Sequence, residues 1–343
     1  MTLTRTGAAA PATTASTAST STEDAITLVI TAWLIAGLFI DGYAHVNIID
    51  TETEDFFTPW HAIFYAAFLS LAGWIFVIGR RRASAAPVMT WFPDGYQYAV
   101  FGVGIFALGG IGDGIWHTIF GVEVGIDALL SPTHLILFIG GLLLLWTPVR
   151  AAAARHDPSP ALAVGAAALT TALLVFFTEY LFLLSETWIV GIRFEPRTSE
   201  GWEYVSLFLA AVVVQVIVLA GPLLLIARRW ALPFGSATGI WTFAALLEMY
   251  AFDHDATAVQ ALAVGGVAFD ITFRFASTRR VAVAAFIGPV VTFSTYFLLA
   301  ADVQTIRWPP EIWGGAIMMA GFTGLGLVAM QESGRHEPIT AKI

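Results

Sequence analysis

The sequence has no cysteine, which excludes disulfides, thiolate metal ligands, thiol nucleophiles and iron–sulfur clusters. Any metal must be held by His, carboxylate or Met. Charge is scarce as well. Only 12% of the 343 residues are charged, against about 25% in an ordinary soluble domain. Lysine is almost missing, since fifteen of the sixteen basic residues are arginine, and the acidic excess leaves a net charge of −9. That balance argues against a nucleic-acid partner.

Apolar residues make up 57% of the chain, and the mean hydropathy is +0.77. Runs such as "AITLVITAWLIAGLFI", "LLVFFTEYLFLL" and "VSLFLAAVVVQVIVLAGPLLLIA" approach or exceed the ~20 residues that carry a helix across the bilayer core. They are continuous rather than alternating, so helices are implied and not a barrel. The fold class is therefore all-α: a polytopic membrane bundle whose main partner is the lipid bilayer.

Polar or Pro/Gly punctuation divides the chain into ten predicted spans, near 25–49, 58–79, 96–119, 131–149, 160–184, 202–227, 233–252, 256–276, 281–302 and 311–331. Residues 1–23 are mostly Ala, Thr and Ser; they read as a disordered tail without the apolar core of a secretory signal. A single transmembrane domain over 24–332 follows, in hairpins near 25–79, 96–149, 160–227, 233–276 and 281–331, and 333–343 forms a C-terminal tail. Arginines concentrate at alternate connections, in "GRRR" at 79–82, at Arg150 and Arg155, at Arg228 and Arg229, and at Arg274, Arg279 and Arg280. By the positive-inside rule both termini are cytoplasmic in a multi-pass plasma-membrane protein.

With that orientation the polar residues inside the spans gather at the outer ends. The exception is Asp270, for which an i,i+4 ion pair with Arg274 is expected. Trp60, Trp116, Trp188, Trp202 and Trp308 fall where an aromatic belt is expected. The acidic "DTETED" at 50–55 suggests an outer vestibule. His156 and His336 belong to cytoplasmic segments and are expected to be solvated.

One pattern occurs twice. "FIDGYAHVN" at 39–47 is followed by "FFTPWHAIFYAAF", and "IGDGIWHTI" at 111–119 by "LLSPTHLILFIGG". Each unit reads Asp-Gly-x-x-His, a loop, then Ser/Thr-Pro-x-His, with 20 and 21 residues from the Asp to the second His. Weaker echoes in "FFTEYLFL", "EGWEYVSLFL" and "LLEMYAFDHD" put Glu179 and Glu248 at the place of the Asp, with Leu183 and Phe252 at that of the His. A repeated ancestral hairpin accounts for the series.

Positions i and i+4 share a helix face, so Asp41 with His45, and Asp113 with His117, each present a carboxylate and an imidazole in one direction. Pro59 and Pro132 suit a first helical turn and put His61 and His134 level with those pairs. Each hairpin thus offers two His and one carboxylate, a ligand set for copper, iron or zinc with positions left open. The spacing leaves one dinuclear centre, two separate sites, or one site with a supporting shell equally open. Glu179, Glu248 and Asp253 are candidate proton carriers, and His254 in "FDHDA" is a candidate further ligand.

The Asp-x-x-x-His pair followed by a third His resembles the C subunit of membrane-bound copper monooxygenases, the methane and ammonia oxidisers. The matching residues are Asp41, His45 and His61, or Asp113, His117 and His134. The resemblance is local; it covers two hairpins, with the third His later than in that family and more helices than that subunit has. It implies copper ahead of iron or zinc, oxidative chemistry on a small or lipophilic substrate, and either a homo-oligomer or additional membrane subunits. Three other readings stand beside it: a metal-ion or proton-coupled transporter, a membrane zinc hydrolase, and b-type haem ligation by His pairs.

Overall fold

The structure, a computed structural model, describes residues 18–48, 56–123, 125–193, 198–276, 279–303 and 305–333. The vestibule sequence at 50–55 and His336 lie outside the described residues. Their regular structure is helical: α1 (Ser21–Asn47), α2 (Pro59–Arg81), α3 (Gln97–Phe120), α4 (Ile126–Leu130), α5 (Pro132–Leu145), α6 (Thr147–Ala154), α7 (Ala161–Phe177), α8 (Ser199–Ala227), α9 (Ser236–Phe252), α10 (Thr257–Phe275), α11 (Arg280–Val303) and α12 (Pro310–Ser333). Each of the ten predicted spans contains helix among the described residues, but fewer than ten qualify as crossings. Eight segments are long and apolar enough to cross a membrane, with α5 and α6 together forming one of them, and α7 is a shorter apolar helix of 17 residues. The chain is a multi-pass membrane protein by this measure.

Two boundaries differ from expectation for local reasons. Helix α1 begins at Ser21, inside the predicted tail, because Thr20 and Glu23 close a capping box: the Thr20 hydroxyl accepts from the Glu23 amide at 3.1 Å and the Glu23 carboxylate from the Thr20 amide at 2.8 Å. Helix α7 ends at Phe177, where the Thr178 hydroxyl turns back to the Leu174 carbonyl at 2.8 Å. Short 3-10 turns at Glu179–Leu181, Leu183–Ser185 and Thr187–Gly191 follow.

Helix α1 packs on α2, and α3 on α5. Helix α7 joins this half to α8 and α9, and α9, α10, α11, α12 and α8 continue in succession. The α3–α5 contact is the closest in the first half, because Gly109 and Gly140 carry no Cβ; one built there would lie 2.9 Å from the Leu137 nitrogen and 2.7 Å from the Phe106 nitrogen. Small residues allow this approach in membrane helices. Helices α2 and α3, by contrast, keep their backbones apart and meet through long side chains, with Phe68 stacked on Phe106 at 4.5 Å.

The hairpins alternate in direction, so polar groups collect at the two ends of the bundle. At one end the arginines are neutralised: Arg82 forks onto Glu23 at 2.9 and 2.8 Å, and Arg155 pairs with the fully buried Asp24, which also accepts from Tyr96 at 2.8 Å. Asp270 corrects the expected pairing with Arg274. Its carboxylate accepts instead from the amides of Ala237 and Thr238 at 3.1 and 3.0 Å and from the Thr238 hydroxyl at 2.7 Å, which satisfies orphan donors at the start of α9. Trp308 also departs from the belt reading. It is buried, edge-on to Phe208 with ring centroids 4.8 Å apart, whereas Trp188 and Trp202 are more than half exposed.

Candidate metal centre

The opposite end gathers the repeated residues. The Ser/Thr-Pro-x-His motif is a helix start whose cap holds the histidine: the Thr58 hydroxyl accepts from the His61 amide at 3.1 Å, and Ser131 does the same for His134 at 3.4 Å. With Pro at the first helical position, each His stands in the first turn and its ring folds back over the preceding loop. His61 Nδ1 meets the Phe56 carbonyl at 2.7 Å, and His134 Nδ1 meets the Ala128 carbonyl. His117 Nδ1 reaches the Gly121 carbonyl at 3.1 Å.

A carbonyl oxygen only accepts, so in all three rings Nδ1 carries the proton. In the neutral ring Nε2 is then a lone pair, the tautomer that metal-ligating histidines are given by such backbone contacts. Two of these lone pairs face carboxylates: His61 Nε2 lies 3.5 Å from Asp41 Oδ2 and His117 Nε2 lies 3.5 Å from Asp113 Oδ1. His45 Nε2 lies 3.8 Å from Asp41 Oδ2, and His134, whose Nδ1 proton is on the Ala128 carbonyl, donates from Nε2 to Asp113 Oδ1 at 2.9 Å as an imidazolium.

The two triads are not separate. The four imidazoles form a line, with ring centroids 5.7 Å apart from His45 to His61, 5.7 Å from His61 to His117 and 5.8 Å from His117 to His134. Ligand atoms close enough to share an ion occur in three overlapping sets: Asp41, His45 and His61; His61, Asp113 and His117; and His117, Glu123 and His134. Ligand atoms ~2.1 Å from a tetrahedral ion lie about 3.4 Å apart, close to the spacings around Asp41. Asp41 Oδ1, His45 Nδ1 and His117 Nε2 are buried and have no hydrogen-bond partner among the described residues. A buried polar atom left unpaired is costly, and a cation held by these atoms removes that cost at Asp41 and His117. The residues present fit a transition metal, and the His/Asp cluster could hold one.

Three participants are not marked by the repeat. Tyr65 donates to Asp113 Oδ2 at 2.8 Å, and Thr133 approaches Oδ1 at 3.4 Å. Glu123 accepts from the Trp116 indole and lies 3.9 Å from His134 Nδ1. Tyr65 had a signal in the sequence, four residues after His61 on the same helix face; Glu123 sits in the loop, where spacing carries no such information.

The proton-carrier candidates divide. Glu179 stands 3.5 Å from His254 Nε2, whose other nitrogen is 4.0 Å from Glu186, and Glu179 reaches the cavity beneath the histidines. Glu248 is fully buried with neither oxygen hydrogen-bonded among the described residues, and it does not line that cavity. Asp253 is exposed, in the left-handed conformation at the C-cap of α9, a backbone role that Asp tolerates. His156 is exposed, as expected.

Directly beneath Asp41, His45, His61, Asp113 and His134 is a cavity of about 260 Å³. Its deeper wall is apolar, formed by residues such as Leu34, Leu38, Phe106, Leu137, Leu173 and Phe176. Comparison with protein-family models, curated proteins and solved structures gave no match.

Proposed function

We propose that this chain is a metal-dependent membrane oxidoreductase of the monooxygenase type, with copper favoured over iron or zinc, acting at the extracytoplasmic face of the plasma membrane on a small lipophilic substrate. One observation carries the reading: imidazole lone pairs, fixed by backbone carbonyls, converge on carboxylate oxygens from both sides. Lone pair against anion is repulsive until a cation stands between them. The local resemblance to the copper monooxygenase C subunit supports copper, and the apolar wall below the polar cap supports a hydrocarbon-like substrate.

When bound, the metal would supply redox chemistry with dioxygen and an external reductant. The chain's own residues orient and exclude. Tyr65 holds Asp113 in place, the Phe56 and Ala128 carbonyls fix the rings, and the apolar wall keeps bulk water from the substrate side. Glu179, next to His254 and at the cavity rim, is placed to pass protons outward.

The test is elemental analysis of detergent-purified protein beside a His45→Ala/His117→Ala double variant. Stoichiometric copper or iron in the wild type, lost together with substrate oxidation in the variant, is the expected result. Zinc in place of a redox metal would turn the reading toward hydrolysis. Full metal occupancy in the variant would sink the site.

A second reading, ion or proton transport, is favoured by one further observation: Gln215, near the middle of α8, is buried with both amide atoms unpartnered among the described residues, as are both oxygens of Glu248. Metal-dependent current or flux in proteoliposomes would favour it over oxidation.

A further inference from the structure

The backbones of α2 and α3 stand well apart, and beside the Phe64, Phe68 and Phe106 contact that joins them is a second apolar hollow, a groove of about 830 Å³. It runs from Thr58, the cap of α2, along that helix to Leu69, eleven residue steps or ~16 Å of helix. Its α3 wall is Ala107, Gly110, Ile111, Gly114 and Ile115. Apart from His61, Tyr65 and two threonines, its lining carries no polar side chain. Leu69, Ile111 and Ile115 on its rims are more than half exposed, and on membrane-spanning helices such residues face lipid.

The groove is not an isolated hollow, because His61 and Tyr65 line both it and the cavity under the histidines. One layer of side chains separates bilayer from site. The α3 wall is low where Tyr65 stands, since Gly110 has no side chain and a Cβ there would lie 2.8 Å from the Tyr65 ring. The cavity also exceeds the ~150 Å³ that accepts benzene in an engineered core.

Resting on the oxidoreductase reading, we infer that an alkyl or alkyl-chain substrate dissolved in the bilayer enters sideways between α2 and α3, passes Tyr65, and comes to rest in the cavity with its reacting carbon under His61. The occupant is a headgroup-free lipophilic molecule. A phospholipid chain resting in the groove as ordinary boundary lipid, or a second protein covering it, are the competing occupants.

The test uses metal-free full-length protein in nanodiscs, photolabelled with a diazirine-bearing dodecane and, separately, with a phosphatidylcholine carrying the diazirine in its acyl chain. Labelled residues are mapped by peptide mass spectrometry. Leu34, Leu38 and Leu173 are buried, so label on them reports entry. The alkane should mark these residues in the wild type and lose them in Ala62→Trp and in Ala107→Trp, which fill the groove from α2 and from α3. Label on the exposed Leu108 should remain in both, showing that the variants are folded in the bilayer. Phospholipid label confined to the groove, with no alkane in the cavity, would reduce the groove to boundary lipid. An unlabelled groove would mean a covering partner, and cavity labelling undiminished in both variants would mean another route; each outcome overturns the inference. Because no metal is present, a portal that passes this test would stand even if metal binding failed, and the reverse also holds.

Discussion

The two copies of the hairpin share a motif but not an environment. Asp113 is almost fully buried, and it is held by Tyr65 at 2.8 Å, by His134 at 2.9 Å and by Thr133 at the margin of hydrogen bonding. Among the described residues Asp41 is paired only with His45 and His61, at 3.8 and 3.5 Å, and its second oxygen has no hydrogen-bond partner there. The cause lies in single positions of the repeat. Thr133, which turns its hydroxyl to the Asp of its own hairpin, corresponds to Trp60 in the first copy. Tyr65 reaches forward from the first hairpin to the second, whereas its counterpart Phe138 packs on Phe177 of α7 with centroids 4.7 Å apart. In the second copy hydrogen bonds enclose the carboxylate and only His117 Nε2 lacks a partner among the described residues, whereas in the first Asp41 Oδ1 and His45 Nδ1 both lack one. Identical triplets therefore differ in how firmly their carboxylate is held, firmly in the second hairpin and loosely in the first.

The comparison breaks most visibly in stability. Asp113→Leu strips three surrounding groups, Tyr65, Thr133 and His134, of their partner, and breaking a buried charged network costs about 3–5 kcal/mol. Asp41→Leu removes a carboxylate that has little to lose, and it is expected to leave metal-free protein within about 1 kcal/mol of wild type or to stabilise it. Thermal unfolding in detergent with chelator present measures both, and elemental analysis of the same preparations should show metal lost from Asp41→Leu. Equal destabilisation by the two substitutions would erase the distinction between the hairpins.

Much of this arrangement was legible in the sequence. Hydropathy marked the helices, and the doubled Asp-Gly-x-x-His and Ser/Thr-Pro-x-His units marked the six residues that the fold gathers at one end, because i,i+4 spacing and an N-terminal proline fix direction and depth by local geometry alone. Contacts between hairpins were not legible. Tyr65 to Asp113, the line of rings through His61 and His117, and Glu179 beside His254 depend on which helices become neighbours, and periodicity says nothing of that. Asp270 shows the same limit: its i,i+4 arginine was visible in the chain, while the α9 helix start that it satisfies was visible only in three dimensions. The α1 boundary failed for a local reason, since the Thr20–Glu23 capping box lies in a stretch whose composition reads as disordered.

Tyr65→Phe sharpens the contrast with a single atom. It removes the one strong hydroxyl donor to Asp113, and a hydrogen bond to a charged group is worth about 1.5–3 kcal/mol. The loss should appear in unfolding of the metal-free protein. The freed Oδ2 then resembles the unpartnered oxygen of Asp41, so the second hairpin should gain metal that it holds weakly in the wild type, seen by isothermal titration as a second binding event. Destabilisation without any change in metal stoichiometry would confine Tyr65 to a structural part.

Thr133→Val is the smallest of these effects and the most discriminating. Valine keeps the shape and removes only a hydroxyl that sits 3.4 Å from Asp113 Oδ1 and 3.3 Å from the Ser131 hydroxyl. At those distances the contribution falls at or below the ~0.5 kcal/mol lower bound of an ordinary hydrogen bond, so unfolding should hardly move. His134 shares the same oxygen at 2.9 Å, and with its competitor gone it should settle more fully on Oδ1. Infrared difference spectra of the carboxylate would read that change directly. A loss as large as that of Tyr65→Phe would mean that the threonine, and not the tyrosine, completes the second hairpin, and that a tryptophan in its place is what leaves the first hairpin open.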